Sequence, residues 1–384
     1  MVNKSLYCGT ITKKILYPIF TILANFCLYV VDYFIDSLEK KRKTNNEAIY
    51  GTHEFVDCHF MFMAESVALI FYFITLSRSK GSKIFHEEQK KLIDWIKLIC
   101  LMLIVPFLDL SSFISNGITT SSSNLYNNLS LSFYIVMTAI LSMMYLDAKF
   151  YRHHLIGIGV FVLGLVVNCV VDHKYTGSMY LPYYLIAITY NQLCYSLQDV
   201  FEKYLMEYKF INIYLQLGTE GIIGTFILSV SFFFIGNITC TIESELCDLG
   251  KPVDSFVDAY SFIFSHYDYL LLFLCRFVCS YLFNVMRLLT TYYYTPVHFI
   301  IYYSINNYVV WLFDYIVDKG TKPTSFVGTL IAYVLEIIGV LIFLEIIIIG
   351  LCGADKNIEQ EIRNRETEDY DKRIEETILY SLNP

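Results

Sequence analysis

Ionisable and amide side chains recur inside long apolar stretches of this 384-residue sequence. Glu65, Asp109 and Glu220 lie among aliphatic and aromatic residues, and Asn284 precedes Arg287 by three positions, which places both on one helical face. Polar groups of this kind are costly in lipid, so each is predicted to face a cavity or a partner helix. The chemistry that this pattern predicts is the binding of a polar solute, with proton coupling through a carboxylate such as Glu220 or Asp109.

These candidates also have a structural interpretation, and Glu65 and Asp109 could instead lie near a helix end and reach the interface. Gly218, Gly221 and Gly224 recur every third residue around Glu220, and such a stripe lets a neighbouring helix approach closely. Arg287 lies about one turn from the predicted end of its span, so it could reach the interface instead of binding an anion or pairing with Glu220. The sequence leaves both interpretations open, although the position of Glu220 near the middle of a span predicts that it faces a central cavity.

Amide side chains add three further candidates. Asn116 belongs to the polar run that follows Asp109, and Asn306 and Asn307 form a polar patch with neighbouring tyrosines. Amides in lipid must be hydrogen-bonded, so they are predicted to point inward, towards a ligand or another helix. No nucleophile, base or metal-ligand set converges in the sequence, and the eleven cysteines contain no CxxC pair. We therefore expect neither an enzyme nor a metal site, and no cofactor.

Composition predicts an all-α polytopic membrane protein. Hydrophobic residues make up 56% of the chain, charged residues 17%, and the mean hydropathy is +0.50. Ten stretches are long and apolar enough to span a bilayer. Their predicted ranges are 15–35, 58–77, 93–114, 124–147, 154–172, 180–202, 211–236, 267–290, 294–317 and 325–350.

Charge distribution predicts how these spans are oriented. Lysine and arginine are more numerous on the side of the two termini, which places both termini in the cytosol. The acidic tail, residues 351–384, argues against a nucleic-acid partner. The long connector after residue 236 then lies on the luminal side, where Cys240 and Cys247 could form a disulfide or stay reduced. A lipid bilayer and a small solute are the expected partners, and a homodimer remains open.

The two halves of the chain share a pattern. Gly117-Ile-Thr-Thr120 precedes one span, Leu289-Thr-Thr291 precedes another, and each half closes with a glycine-containing aliphatic helix. Five spans per half require two inverted repeats, which is a common construction for transporters. We therefore predict a cytosolic N-terminus at 1–14, repeats at 15–172 and 180–350, and a cytosolic tail at 351–384. Chance similarity between apolar segments is the alternative.

Several stretches resemble the drug/metabolite transporter superfamily, in its nucleotide-sugar-transporter-like branch. The nearest type is the F subfamily of solute carrier family 35. The resemblance covers most of residues 15–350. Four stretches carry it: Met61-Phe-Met-Ala-Glu65, Pro106-Phe-Leu-Asp109 with the Gly117 turn, the predicted helix from Leu155 to Val167, and the stretch from Gln198 through Gln216-Leu-Gly-Thr-Glu-Gly-Ile-Ile-Gly224. The last of these is the most specific match, and it adds Gln198 to the candidate site residues.

What the resemblance implies is a secondary carrier in an endomembrane (Golgi, ER, lysosome or vacuole) that moves a small organic solute by alternating access. A nucleotide sugar is one such solute, but two cationic positions of the family are replaced here. Tyr126 to Ser130 reads YNNLS where an arginine is common, and Tyr303 to Asn306 reads YSIN in place of Asp-Ser-Leu-Arg. A phosphate-bearing solute needs compensating cations in such a cavity. The alternative function is a multi-span receptor or ligand-gated channel.

Overall fold

Helices account for all the regular structure in the described part of the chain. The computed structural model describes residues 4–45, 47, 50, 54–78, 102–119, 124–176, 181–235, 255–317 and 326–348. Within these ranges the helices are α1 (Lys4–Thr44), α2 (Glu54–Ser66), α3 (Ala68–Arg78), α4 (Ile104–Thr119), α5 (Asn124–Tyr145), α6 (Arg152–Thr176), α7 (Leu181–Tyr208), α8 (Ile213–Ile235), α9 (Phe256–Ser265), α10 (Tyr267–Tyr293), α11 (Pro296–Val317) and α12 (Phe326–Phe343).

Five stretches of helix within the described residues are long and apolar enough to cross a membrane by length and composition. They are Leu16–Thr44, Phe55–Thr75, Arg152–Val171, Ile213–Phe234 and Tyr267–Tyr293. Large apolar side chains remain exposed along them, as at Phe226 and Phe233 of α8, which suits a lipid environment. This architecture is consistent with the predicted all-α membrane protein.

Several predicted boundaries differ from the structure. The α1 helix runs well beyond the predicted 15–35 span at both ends, because its flanking polar residues continue the helix after the apolar stretch ends. The predicted connector before residue 267 contains the short helix α9, which is capped by the Ser255 side chain. The α12 helix ends at Phe343, seven residues before the predicted limit at 350. Residues 79–101, 236–254 and 349–384 lie outside the described part of the chain.

The predicted span 58–77 is interrupted immediately after Glu65 and Ser66. At this point Val67 N donates to Ala64 O (3.2 Å) and Ile70 N donates to Val67 O (3.0 Å), so the backbone makes two tighter i to i+3 bonds. The Ser66 hydroxyl also donates to Met63 O at 2.6 Å and competes with the regular helical bonds. The chain is therefore irregular beside a candidate carboxylate, and irregular backbone at membrane depth is usually buried in protein or lines a cavity.

Glycine contacts bring α8 very close to α2 and α3. A Cβ added at Gly221 would lie 2.3 Å from Ser66 N and 2.5 Å from Phe62 O, and at Gly224 it would lie 2.3 Å from the Phe62 ring. A Cβ added at Gly218 would likewise come too close to Leu69 of α3. The close helix approach predicted from the glycine spacing is thus confirmed.

A second glycine seam joins α6 to α12. A Cβ at Gly157 would lie 2.6 Å from Phe343 N, and one at Gly339 would lie 2.5 Å from Phe161 N. Gly164 meets Glu336 and the backbone of α12. By contrast, a Cβ at Gly159 would meet nothing within 4 Å, since this glycine faces outward.

The remaining helices pack in a limited set of pairs. The α1 helix lies against α10 and α11, α4 against α7 and α8, and α5 against α6, α7 and α11. The α10 helix also contacts α2. Arg276 of α10 reinforces this arrangement, because it pairs with Asp32 of α1 (2.9 Å) and Asp57 of α2 (2.7 Å).

Candidate functional site

A cavity of about 580 Å³ lies between eight of the described helices, α2, α4, α5, α6, α7, α10, α11 and α12. Its volume falls within the usual range for small-molecule sites, roughly 300–1,000 Å³. Polar and aromatic side chains dominate its wall. The lining residues are Met61, Glu65, Asp109, Ser130, Leu131, Tyr134, Asn168, Asn191, Gln192, Tyr195, Gln198, Asp199, Phe283, Asn284, Arg287, Phe299, Tyr303, Asn307, Val310, Trp311, Asp314, Thr329 and Tyr333.

Six of the nine binding residues predicted from the sequence line this cavity: Glu65, Asp109, Gln198, Asn284, Arg287 and Asn307. They come from α2, α4, α7, α10 and α11, so they are distant in sequence and adjacent only in the fold. The structure therefore brings most of the candidates to one place. Their role in binding a solute stays a prediction.

Glu65 and Asn284 form one polar contact across the cavity wall. The Asn284 amide donates to Glu65 Oε1 at 2.8 Å, and both side chains are buried. The second carboxylate oxygen, Oε2, has no hydrogen-bond partner within the described structure. The helix α2 ends at Ser66, one residue after Glu65, so the Glu65 carboxylate lies near a helix terminus beside the cavity.

Arg287 is held by two acidic residues of α7. Its Nη1 donates to Asp199 Oδ1 (3.0 Å) and Glu202 Oε2 (2.8 Å), and its Nη2 donates to Glu202 Oε1 (2.7 Å). All three side chains are buried, and the Tyr134 hydroxyl donates a further bond to Asp199. Arg287 is therefore buried and bound to α7, with Glu202 as a bidentate partner, and it neither reaches the interface nor hydrogen-bonds Glu220. Its binding of an anionic ligand stays a prediction.

Asp199 and Glu202 are functional candidates that the sequence analysis did not identify. They lie three residues apart on α7, which puts them on one helical face towards α10. Both fall within the last turn of the predicted span 180–202, where a charged side chain can also reach the interface. The useful signal was the i, i+3 spacing of the two acids directly after Gln198.

Glu220 is buried in the wall and does not line the cavity. Gln198 stands beside it, with Nε2 3.3 Å from Glu220 Oε1 and 3.3 Å from Glu202 Oε1. Glu220 Oε2 has no hydrogen-bond partner in the described part of the chain. The carboxylate is therefore linked to the cavity through Gln198, and the glycines around it serve helix packing.

The other amide candidates divide by their position on the helix. Asn307 lines the cavity, whereas Asn306 is buried elsewhere, because consecutive residues point in different directions on a helix. Asn116 lies in α4, but its side chain lies outside the described part of the structure. Cys240 and Cys247 also lie outside the described residues, so their disulfide stays a prediction.

The described lining carries more acidic than basic groups. Glu65, Asp109, Asp199 and Asp314 supply four carboxylates, and Arg287 supplies one guanidinium. Among the described residues there is no group of three or more histidine, cysteine or acidic side chains that could hold a metal ion. The arrangement is suited to holding an organic solute through hydrogen bonds, charge and aromatic contacts.

Comparison with known proteins assigns no family to the chain. No family model matches the sequence, and no curated protein matches it. One solved structure, described as "Crystal structure of protein", is similar over 87% of this chain and 97% of its own length. Its sequence identity is 10% and its TM-score is 0.49, so the similarity supports no conclusion about fold or function.

Proposed function

We propose that this chain is a secondary transporter of the drug/metabolite type, which moves a small organic solute across a membrane by alternating access. The observation that carries the proposal is the polar cavity, because both predicted repeats line it. Glu65, Asp109 and Tyr134 come from residues 15–172, and Gln198 and Arg287 come from residues 180–350. A site between two repeats near the middle of the bundle is typical of secondary transporters.

Helix packing supports two repeats of five spans. If α2 and α3 together count as one span and α9 is left aside, the repeats pair α1 with α7, α2/α3 with α8, α4 with α10, α5 with α11, and α6 with α12. If each helix is replaced by the other member of its pair, the α1–α10 contact becomes the α7–α4 contact. In the same way, α5–α7 becomes α11–α1, and α2–α10 becomes α8–α4. All six contacts are present.

Three further contacts are unchanged by the same exchange: α2 with α8, α5 with α11, and α6 with α12. A pseudo-two-fold relation between the repeats produces this pattern, since the contacts on the axis must map onto themselves. Five spans per repeat make the two repeats inverted in the membrane. The glycine seams at α2–α8 and α6–α12 are then the two places where one repeat packs most closely on the other.

The shape of the cavity suits one state of an alternating-access cycle. It extends towards Asp314 near the end of α11 and Thr329 near the start of α12. Near the opposite end of the bundle, polar contacts join the helices to one another. Arg287 joins α10 to α7, Lys203 Nζ of α7 donates to Tyr292 O of α10 (2.7 Å), and the hydroxyl groups of Thr21 and Thr290 form a hydrogen bond between α1 and α10 (2.8 Å). With both termini in the cytosol, as the charge distribution predicts, this state faces the lumen of an endomembrane compartment.

Counterflow in reconstituted vesicles tests this function. Purified protein in sealed vesicles is screened with nucleotide sugars, amino acids and organic amines, with the unlabelled solute inside and the labelled solute outside. We expect saturable uptake of at least one solute, stimulated by the same solute on the opposite side, because a carrier returns faster when loaded. Solute binding without flux would indicate a receptor, and a solute-gated ionic current without counterflow would indicate a channel.

A further inference from the structure

We infer that the cavity selects a small organic cation, whose protonated nitrogen is held beside the carboxylates of Glu65 and Asp109 and whose apolar body rests against the aromatic wall. This inference rests on the proposed transport function and names the class of solute. Glu65 and Asp109 line the same cavity and come from the helices α2 and α4 of the first predicted repeat.

The charge balance of the described lining favours a cation. The guanidinium of Arg287 is shared between Asp199 and Glu202, so its positive charge is matched by two carboxylates before any solute enters. Glu65 and Asp109 lie in the field of Arg287, but neither forms a hydrogen bond or an ion pair with a basic side chain among the described lining residues. Lys97, a basic residue within the predicted span 93–114, lies outside the described part of the chain and does not enter this comparison. A cationic solute would supply the missing positive charge in a site where water screens poorly.

Hydrogen-bonding capacity points to the same class of solute. Glu65 Oε2 and Gln198 Oε1 are buried acceptors on lining residues, and neither has a hydrogen-bond partner in the described structure. A buried acceptor without a donor is costly, so a ligand that brings N–H groups is favoured there. Phosphate and carboxylate groups bring acceptors alone and would meet these oxygens unfavourably.

Aromatic residues form another part of the lining. The Tyr303 ring centre lies 6.3 Å from Phe283 and 6.0 Å from Phe299, and Tyr195 and Trp311 line the same cavity. Aromatic faces attract cations and also accept flat apolar groups. A protonated amine joined to an aromatic body therefore matches both parts of the cavity, whereas a nucleotide sugar would place its phosphates against the carboxylates.

Matched probes separate charge from shape. Purified protein is titrated with the phenethylammonium ion, its uncharged carbon analogue, the corresponding arylcarboxylate and UDP-glucose, with thermal stabilisation as the binding readout. We expect the cation to bind at least about tenfold more tightly than the uncharged analogue, because only the cation gains the carboxylate interaction. The arylcarboxylate and UDP-glucose should give no stabilisation.

Isosteric variants identify the residues responsible. E65Q and D109N should each weaken cation binding about tenfold while leaving the affinity for the uncharged analogue unchanged. D147N is the matched control, because Asp147 is exposed in a loop and has the positive φ that asparagine tolerates as well as aspartate does. If either carboxamide variant fails to fold, the other gives the same comparison.

Several results would overturn the inference: tighter binding of UDP-glucose or of the arylcarboxylate, equal binding of the charged and uncharged probes, or unchanged cation binding in the carboxamide variants. The binding assay needs no flux, so it separates this inference from the transport proposal. Cation binding without counterflow would contradict the transporter and retain the cation site. Counterflow of an anion would retain the transporter and contradict the cation site.

Discussion

Replacing Arg287 with methionine is expected to lower the free energy of unfolding by about 3–5 kcal/mol, because it leaves two buried carboxylates without their partner. Asp199 and Glu202 are both buried and receive three hydrogen bonds from this guanidinium. Methionine keeps a similar length and an apolar stem, so packing changes little. Thermal unfolding in detergent micelles, together with the yield of monodisperse protein, measures the loss.

Two companion variants separate charge from packing. The triple variant R287M/D199N/E202Q removes all three charges and is expected to regain most of the lost stability, since a neutral set carries no unpaired buried ion. R42M makes the same substitution at the end of α1, where Arg42 pairs at 2.7 Å with the more exposed Asp268, and it should cost much less. Equal losses in R287M and in the triple variant would mean that the side-chain volume matters and the ion pair does not.

Replacing Gly221 with alanine is expected to reduce counterflow at least about tenfold and to destabilise the protein by about 1–3 kcal/mol. The new Cβ would lie 2.3 Å from Ser66 N and 2.5 Å from Phe62 O. Both are backbone atoms of α2, so no side-chain rotation relieves the clash and the two helices must separate. Glu65 precedes Ser66, and its carboxylate would move with the backbone.

Gly159 is the control for this substitution. It lies in another apolar helix, and an added Cβ there would meet nothing within 4 Å. G159A should therefore keep normal counterflow and equal or slightly higher stability, since alanine favours a helix more than glycine does. Normal counterflow in G221A would show that close contact between α8 and α2 is not needed to position the cavity wall.

The sequence was sufficient to predict the helical class and six of the residues that line the cavity. Polar residues inside apolar stretches are rare and face inward, so Glu65, Asp109, Asn284 and Asn307 were identifiable one by one. The glycine spacing around Glu220 predicted a close helix contact, because residues three apart share a face. Each of these inferences depends only on the periodicity of a single helix.

Features that depend on contacts between helices could not be predicted in this way. The partner of Arg287 is determined by how α7 and α10 approach each other, and no periodicity within α10 contains that information. Glu220 lies behind Gln198 for the same reason. The break after Ser66 depends on local hydrogen bonds that an apolar stretch does not reveal.

Alternating access is tested most directly by the chemical accessibility of Asn307, a lining residue whose side chain carries no charge. In vesicles of known orientation, the variant N307C is treated with a membrane-impermeant thiol reagent from each side, and modification of that residue is measured by mass spectrometry. We expect modification from one side only in the absence of solute, with a transported solute slowing it there and making the residue reachable from the other side. Simultaneous modification from both sides, or the same one-sided modification with and without solute, would contradict a carrier.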